Sequence, residues 1–241
     1  KKPPFRMYDT FDLPGYNLVI DRREILPCNW LQIAENGMDP IHTSFLHTRS
    51  TVGQFLNTKG EPTMEFGELG ELEFMDTPQG IVYVNTRRAQ DQVWVRMGEM
   101  MPPGIQQTPG HPIFPLRFED GKKQICFAPR VTKWIVPVDD TNTIHFVSFR
   151  VKNGESTMSL NKGQTRAIPD PKQGLTGYQT TNRSYEDQQR NPGDYEAETG
   201  QRPIAIHALE HLGNSDRGII KYRQMVRQGI RAVQRGEDPK G

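Results

Sequence analysis

The chain has 241 residues, with 30 Lys plus Arg against 29 Asp plus Glu and a formal net charge of +1. That length can bury one large core and disfavours two independent domains, while the balanced charge and the lack of a basic block interleaved with aromatics argue against a nucleic-acid partner. No run approaches the roughly 20 apolar residues of a membrane span and the N-terminus lacks a signal-peptide stretch, so the expectation is a soluble, cytoplasmic protein with no membrane partner. Cys28 and Cys126 both sit in apolar surroundings, which suits buried thiols in a reducing compartment better than a disulfide. The chain opens on Lys1-Lys2-Pro3-Pro4 rather than Met, as a fragment of a longer protein would.

Residues 1–24 mix Pro, Gly and short apolar runs such as Leu18-Val19-Ile20 and are expected to form a linker and entry strand; residues 25–241 form the main domain. Trp30, Ile33 and Ala34 fall at helical spacing and Gly37 is a stop signal. Asp39-Pro40 then supplies an N-cap followed by Pro at a first helical position, which predicts two short helices or one kinked helix. From about Thr51 to Val151 the period switches to two. Ile81-Val82-Tyr83-Val84, Val93-Trp94-Val95, Ile125-Cys126-Phe127, Trp134-Ile135-Val136-Pro137-Val138 and Ile144-His145-Phe146-Val147-Ser148-Phe149 read as strands of one antiparallel sheet of six to eight. The stretch from Met100 to Pro115, with Pro102-Pro103 and two Pro-Gly steps, reads as a loop. Residues 153–192 are polar and rich in Gln, Lys, Gly and Pro, the mark of a long loop or lid. Helical spacing returns at Ile204, Ala208 and Leu212. After a cap at Ser215 it resumes at Ile219, Tyr222, Val226, Ile230 and Val233, which predicts a long amphipathic C-terminal helix packed back on the sheet. The class is α+β, with helices gathered on one face.

The chemistry concentrates between Asn29 and His47, where two of the six histidines lie close to Glu35 and Asp39. Imidazole is the usual ligand of iron, zinc and copper, and a nearby acid either ligates or orients it. His42 and His47 are five apart, about 140° around a regular helix, so one ion can take both rings only where the helix bends or widens. Two imidazoles and a carboxylate on one face of iron(II) leave the other face open for oxygen and substrate; zinc with a bound water competes for the same donors. The His-x-Asp or His-x-Glu pattern of the 2-oxoglutarate enzymes is absent from all six histidines. An iron site here therefore needs electrons from outside.

Asn29-Trp30, Glu35-Asn36 and then Asp39-x-x-His42-x-x-x-x-His47 closely resemble the catalytic domain of the Rieske non-heme iron oxygenases. Leu31-Gln32 with Ser44-Phe45-Leu46-His47 is most similar to the phthalate dioxygenase branch. The likeness continues in Trp134-Ile135-Val136-Pro137-Val138-Asp139-Asp140 and in Glu210-His211-Leu212-Gly213-Asn214-Ser215-Asp216. The resemblance implies a helix-grip fold, of the START and Bet v 1 type, in which a curved antiparallel sheet closes over the long C-terminal helix. It implies mononuclear Fe(II) on His42, His47 and a downstream carboxylate that matches Asp194, with Glu196 and Glu198 as alternatives because the Gln-Glu-x-Met-Gly run usual in that branch is replaced here. It implies that Asp39 carries the electron connection from a neighbouring subunit, and that Asn36 stands near the iron. Further implied are hydroxylation, dihydroxylation or oxidative demethylation of an aromatic or small apolar substrate with O2, a [2Fe–2S] Rieske donor, NADH used through a reductase, and a homotrimer. Neither cysteine is followed by a histidine as Cys-x-His or Cys-x-x-His, so the cluster must belong to a missing domain or another polypeptide. A carrier of hydrophobic ligands on the same fold, and a zinc hydrolase on the same triad, are the rival functions.

The other candidates read more simply. His207 and His211, four apart, lack the acid of His-Glu-x-x-His and are expected to make structural hydrogen bonds; His111 and His145 fall on a loop and a strand. Met97 to Met101 is expected to fill core, as are Trp30, Trp94 and Trp134. Arg87, Arg88 and Arg96, on or beside strands, are candidates to clamp a carboxylate, with exposed strand positions as the plainer alternative.

Overall fold

Among the described residues, seven strands form one antiparallel sheet in the order β1-β7-β6-β5-β4-β3-β2. The computed structural model describes residues 7–50, 61–62, 64–89, 92–109, 129–153 and 183–239. The strands are β1 (Tyr16–Leu26), β2 (Glu71–Asp76), β3 (Ile81–Ala89), β4 (Gln92–Met101), β5 (Ile105–Pro109), β6 (Pro129–Asp139) and β7 (Asn142–Lys152). The helices are α1 (Trp30–Asn36), α2 (His42–Phe45), α3 (Met64–Gly67), α4 (Tyr185–Arg190), α5 (Asp194–Thr199) and α6 (Arg217–Gln234). The entry strand β1 pairs with β7 from Tyr16 to Leu26, so the chain's first strand makes one edge of the sheet and β2 makes the other.

The expected alternation of side chains holds on β3 and β4, whereas on β7 Thr143, Ile144 and His145 are buried in succession. On β3, Ile81, Tyr83, Asn85 and Arg87 are buried, and on β4 Trp94, Arg96, Gly98 and Met100 are buried while Val93, Val95 and Met97 face out. The register sets Arg87 opposite Trp94 and Asn85 opposite Arg96. Sheet residues Ile81, Tyr83, Met100 and Ile135 share one core with Ile33, Ala34 and Met38 around α1 and with Tyr222 and Met225 of α6. Burying such side chains stabilises by roughly 1.5–3 kcal/mol each. Two close approaches fix the layers. An added Cβ on Gly218 of α6 would lie 2.2 Å from the Phe74 ring of β2, and one on Gly37 would lie 2.7 Å from Gln106 and Met100. The Tyr222 hydroxyl donates to the Pro103 carbonyl, tying α6 to the β4–β5 turn.

Four expectations change. The stretch from Met100 onward is a turn followed by a strand: Met100 and Met101 end β4, and Ile105–Pro109 is β5, paired on both sides. No helix spans Ile204 to Leu212, only a 3-10 turn at His207–Leu209. The Arg202 carbonyl and the Ala205 N–H are taken by the Gln32 amide, and Arg202 has φ +81, so the backbone there cannot close helical bonds. Within 153–192, α4 forms under a Ser184 cap that accepts from Asp187 N–H. The apolar stripe of α6 is buried only through its first half; Ile230 and Val233 are 53% and 60% exposed. The expected strand at Ile125-Cys126-Phe127 and His111 lie outside the described residues.

Trp30 packs on the main core and Trp94 meets Phe66 edge to face, but Trp134 meets Phe11 at 5.7 Å instead. Cys28 is a fully buried free thiol whose ionisation burial pushes up to about 12, as expected of a structural cysteine. Met100 and Met101 are core; Met97 is exposed. Among the described residues no helix is long and apolar enough to cross a membrane.

Candidate metal centre

The site grows from the end of α1. Asn29 caps that helix by accepting from Leu31 N–H, and its amide donates to the Asp140 carbonyl at 2.7 Å in the β6–β7 turn. Helix α1 stops at Gly37, as its sequence signals. Asp39 then turns the chain: its Oδ1 accepts from Ile41 N–H at 3.0 Å and from His42 N–H at 3.3 Å, so its side chain caps α2 although Pro40 stays outside the helix. A single α-helical turn, His42–Phe45, runs into a π-helical turn, Leu46–Ser50. The Thr48 hydroxyl donates to the carbonyl of Thr43, five residues back, at 2.8 Å. The widened turn is the departure that the five-residue spacing demands, since i and i+5 come into line only where the helix is underwound. The two rings end 5.0 Å apart, centroid to centroid, at 66°.

Asp194, first residue of α5, completes the group. Its Oδ1 lies 3.1 Å from His47 Nε2 and 3.6 Å from His42 Nε2. One donor atom from each of His42, His47 and Asp194 lies within 4.8 Å of the others. Asp194 keeps a third of its side-chain exposure, yet Oδ1 itself is buried and among the described residues no hydrogen bond reaches it. A buried anionic oxygen aimed between two imidazole nitrogens is the donor set of a cation site, and nitrogen with carboxylate oxygen suits iron or zinc rather than calcium. His42 Nδ1 meets the Asp39 carbonyl, which fixes that nitrogen as the N–H and turns Nε2, the acceptor, toward Asp194. Burial pushes the His42 pKa down, against the pull of the Asp194 carboxylate, so its ring favours the neutral, ligating form. Burial alone would raise the Asp194 carboxyl; the imidazoles of His47 and His42 outweigh it and hold the group well below the usual carboxylate range.

The alternative acids turn elsewhere. Glu196 Oε2 accepts from Gly193 N–H at 2.8 Å, closing a cap on α5, and its Oε1 meets Arg183 at 3.3 Å. Glu198, one turn beyond Asp194, is buried and accepts from Asn36 Nδ2 at 3.0 Å. Asn36 thus stands near the triad through Glu198 and not by contact with the histidines. Burial and the neighbouring Asp194 push Glu198 up to about 8. Gln32, whose role its helical position does not reveal, donates to the carbonyls of Glu198 and Arg202 and accepts from Ala205 N–H, fastening α5 beside α1.

His207 comes within reach of Glu35 and Glu210, a second set of potential ligands. Arg223 of α6 already holds both acids, meeting Glu35 with two bonds of 2.5 and 2.7 Å and Glu210 with two of 2.6 and 2.9 Å. A guanidinium in that position supplies the counter-charge and ties α1, α6 and the 207–210 turn together. His145 is buried on β7. Of the three strand arginines Arg88 is exposed, as the plainer reading expects, whereas Arg87 and Arg96 are buried.

A curved antiparallel sheet with a long C-terminal helix defines a helix-grip domain, and two histidines from α2 and its π turn meet an aspartate of α5 in a candidate metal centre. The chain belongs to the vanillate O-demethylase oxygenase C-terminal domain family, whose model matches residues 26–232. It is 34% identical over 236 residues to the tert-butanol monooxygenase / tert-amyl alcohol desaturase oxygenase subunit of Aquincola tertiaricarbonis, covering 95% of this chain and 48% of that protein. It is 29% identical over 220 residues to the phenoxybenzoate dioxygenase subunit alpha of Ectopseudomonas oleovorans, covering 90% and 46%. The chain thus spans about half the length of these relatives. Among solved structures, NdmA of Pseudomonas putida CBB5 with caffeine shares the fold at a TM-score of 0.54 and 14% identity, covering 96% of this chain and 57% of that one. Dicamba monooxygenase bound to 3,6-dichlorosalicylic acid does so at 0.51 and 14%, covering 97% and 64%.

Proposed function

We propose that this chain is the catalytic part of a Rieske-type oxygenase, with mononuclear iron(II) held by His42, His47 and Asp194. The observation that carries the reading is the buried Asp194 Oδ1 pointing between two imidazole Nε2 atoms at 3.1 and 3.6 Å. Iron(II) on such a face would supply reductive activation of O2 beside the substrate. The protein's own part is to hold the donors in their ligating forms. The Asp39 carbonyl keeps the His42 proton on Nδ1, and the two imidazoles keep Asp194 ionised. In the metal-free protein burial and the Asp194 carboxylate push the Glu198 carboxyl up to about 8, while its Oε1 accepts from Asn36.

Asp39 is 28% exposed and its carboxylate lies 3.9 Å from His42 Nδ1, which supports its role as the link to an external donor. That donor is a [2Fe–2S] Rieske cluster, in the remainder of a longer chain or on another polypeptide, reduced from NADH through a reductase; a homotrimer would set one subunit's cluster against the next subunit's iron. The substrate is aromatic or small and apolar, the range that the tert-butanol and phenoxybenzoate of the two relatives' names span. Anaerobic reconstitution with Fe(II), followed by oxygen uptake with a Rieske donor, reductase and NADH, tests the reading. Near-stoichiometric iron and donor-dependent uptake support it. Zinc with hydrolytic activity would replace it by the hydrolase, and tight retention of an apolar ligand without metal by the carrier. Asp39→Ala is expected to retain iron and lose or uncouple turnover; normal product formation with the donor present would remove the bridging role.

A further inference from the structure

Ser44 lies between the two histidines on a helix of one turn. So short a helix has no stability of its own, because nucleation costs more than one turn of hydrogen bonds returns. The rotation of α2, which decides whether His42 and His47 converge, must therefore be imposed by what packs on it. Arg87 reaches it from the sheet: Nη2 donates to Ser44 Oγ at 3.1 Å. Both residues are buried, at 2% and 1% exposure. The Arg87 guanidinium lies 5.3 Å from the ring centre of Phe66 on α3 and 5.2 Å from that of Trp94 on β4, and Arg96 lies 5.7 Å from Phe66. The two rings meet edge to face at 5.3 Å. A planar cation packed against two aromatic faces has few rotamers left, so a hydrogen bond from it fixes its acceptor more sharply than one from a free side chain.

We propose that Arg87 is a positioning residue of the metal centre: packed against Phe66 and Trp94, it sets the rotation of α2 through Ser44 and so brings His42 and His47 together on Asp194. This deepens the reading of that triad as a metal site and rests on it. Lysine would keep the charge but lose the flat stacking surface and the directed donor, so charge alone is not sufficient.

The test titrates metal-free protein with Co(II), whose visible absorption reports ligand geometry, in wild type, Ser44→Ala, Arg87→Lys, the double variant, and the exposed neighbour Arg88→Ala as control. Ser44→Ala and Arg87→Lys are each expected to raise the Co(II) Kd about tenfold and to change the band, the scale seen when groups supporting metal ligands are lost. The double variant should be no worse than the weaker-binding single, since both cut one bond, and Arg88→Ala should match wild type. Unchanged affinity and spectrum in both single variants, or losses that multiply in the double, would overturn the proposal. Should Arg87→Lys fail to fold, Ser44→Ala decides alone, because it leaves the aromatic surround intact. A wild type that binds no divalent metal removes the metal centre and this role with it; a wild type that binds, with variants that match it, removes the positioning role only.

Discussion

Glu198 offers a quantitative test of the interior electrostatics. Its carboxyl is buried beside Asp194, with one hydrogen bond from Asn36, and these surroundings push it from 4.5 up to about 8. The folded protein therefore keeps a proton that the unfolded chain has already released, so folding loses stability as pH rises through that window and none is lost below it. From those two values, the loss between pH 5 and pH 8.5 is about 4 kcal/mol. Glu198→Gln keeps the shape and the acceptor for Asn36 but cannot ionise. Urea unfolding of metal-free protein at pH 5 and pH 8.5 should find the variant and wild type within about 1 kcal/mol at the lower pH, and the variant ahead by about 4 kcal/mol more at the higher. Because Asp194 stays ionised across this range and His42 is common to both proteins, the difference isolates position 198. A gap that stays constant across the range, or one that favours wild type at high pH, would refute the claim that this acid is buried and protonated.

Asp194→Asn should lower Fe(II) retention after desalting at least tenfold, whereas Glu196→Gln should retain iron, keep the bond from Gly193 N–H through its amide oxygen and lose only about 1 kcal/mol with the Arg183 ion pair, read by metal analysis and urea unfolding. Gly218→Ala should destabilise by about 1–3 kcal/mol despite the better helix former, because the new methyl would overlap the Phe74 ring, and thermal unfolding measures it. Arg223→Met should cost about 3–5 kcal/mol by leaving Glu35 buried without its partner; a loss under 1 kcal/mol would mean that water replaces the guanidinium.

Much of the fold is legible in local chemistry. Alternation in Ile81-Val82-Tyr83-Val84 and Trp134-Ile135-Val136 comes from a strand with one buried face, and Gly37 and Asp39 mark helix boundaries, as a stop and a cap. What local pattern misreads is where a distant group takes over a backbone bond or a face. Ile204 to Leu212 has helical spacing, but Gln32, 170 and 173 positions away in the chain, holds the Arg202 carbonyl and Ala205 N–H. Ile105–Pro109, short and polar, becomes a strand only because β4 and β6 pair with it on either side.

The site divides the same way. The residues from Asp39 to His47 by themselves determine two imidazole donors, a capping acid and a spacing that a regular helix cannot bring together. Tertiary structure decided that a π turn brings the rings to 5.0 Å, and that Asp194 meets them while Glu196 closes its own helix cap and Glu198 goes to Asn36. It also decided that Arg87 lies buried behind Ser44. The reason is physical: capping and spacing depend on neighbours a few residues away, whereas the choice among three acids of one helix, and the burial of an arginine, depend on what the rest of the chain packs against them.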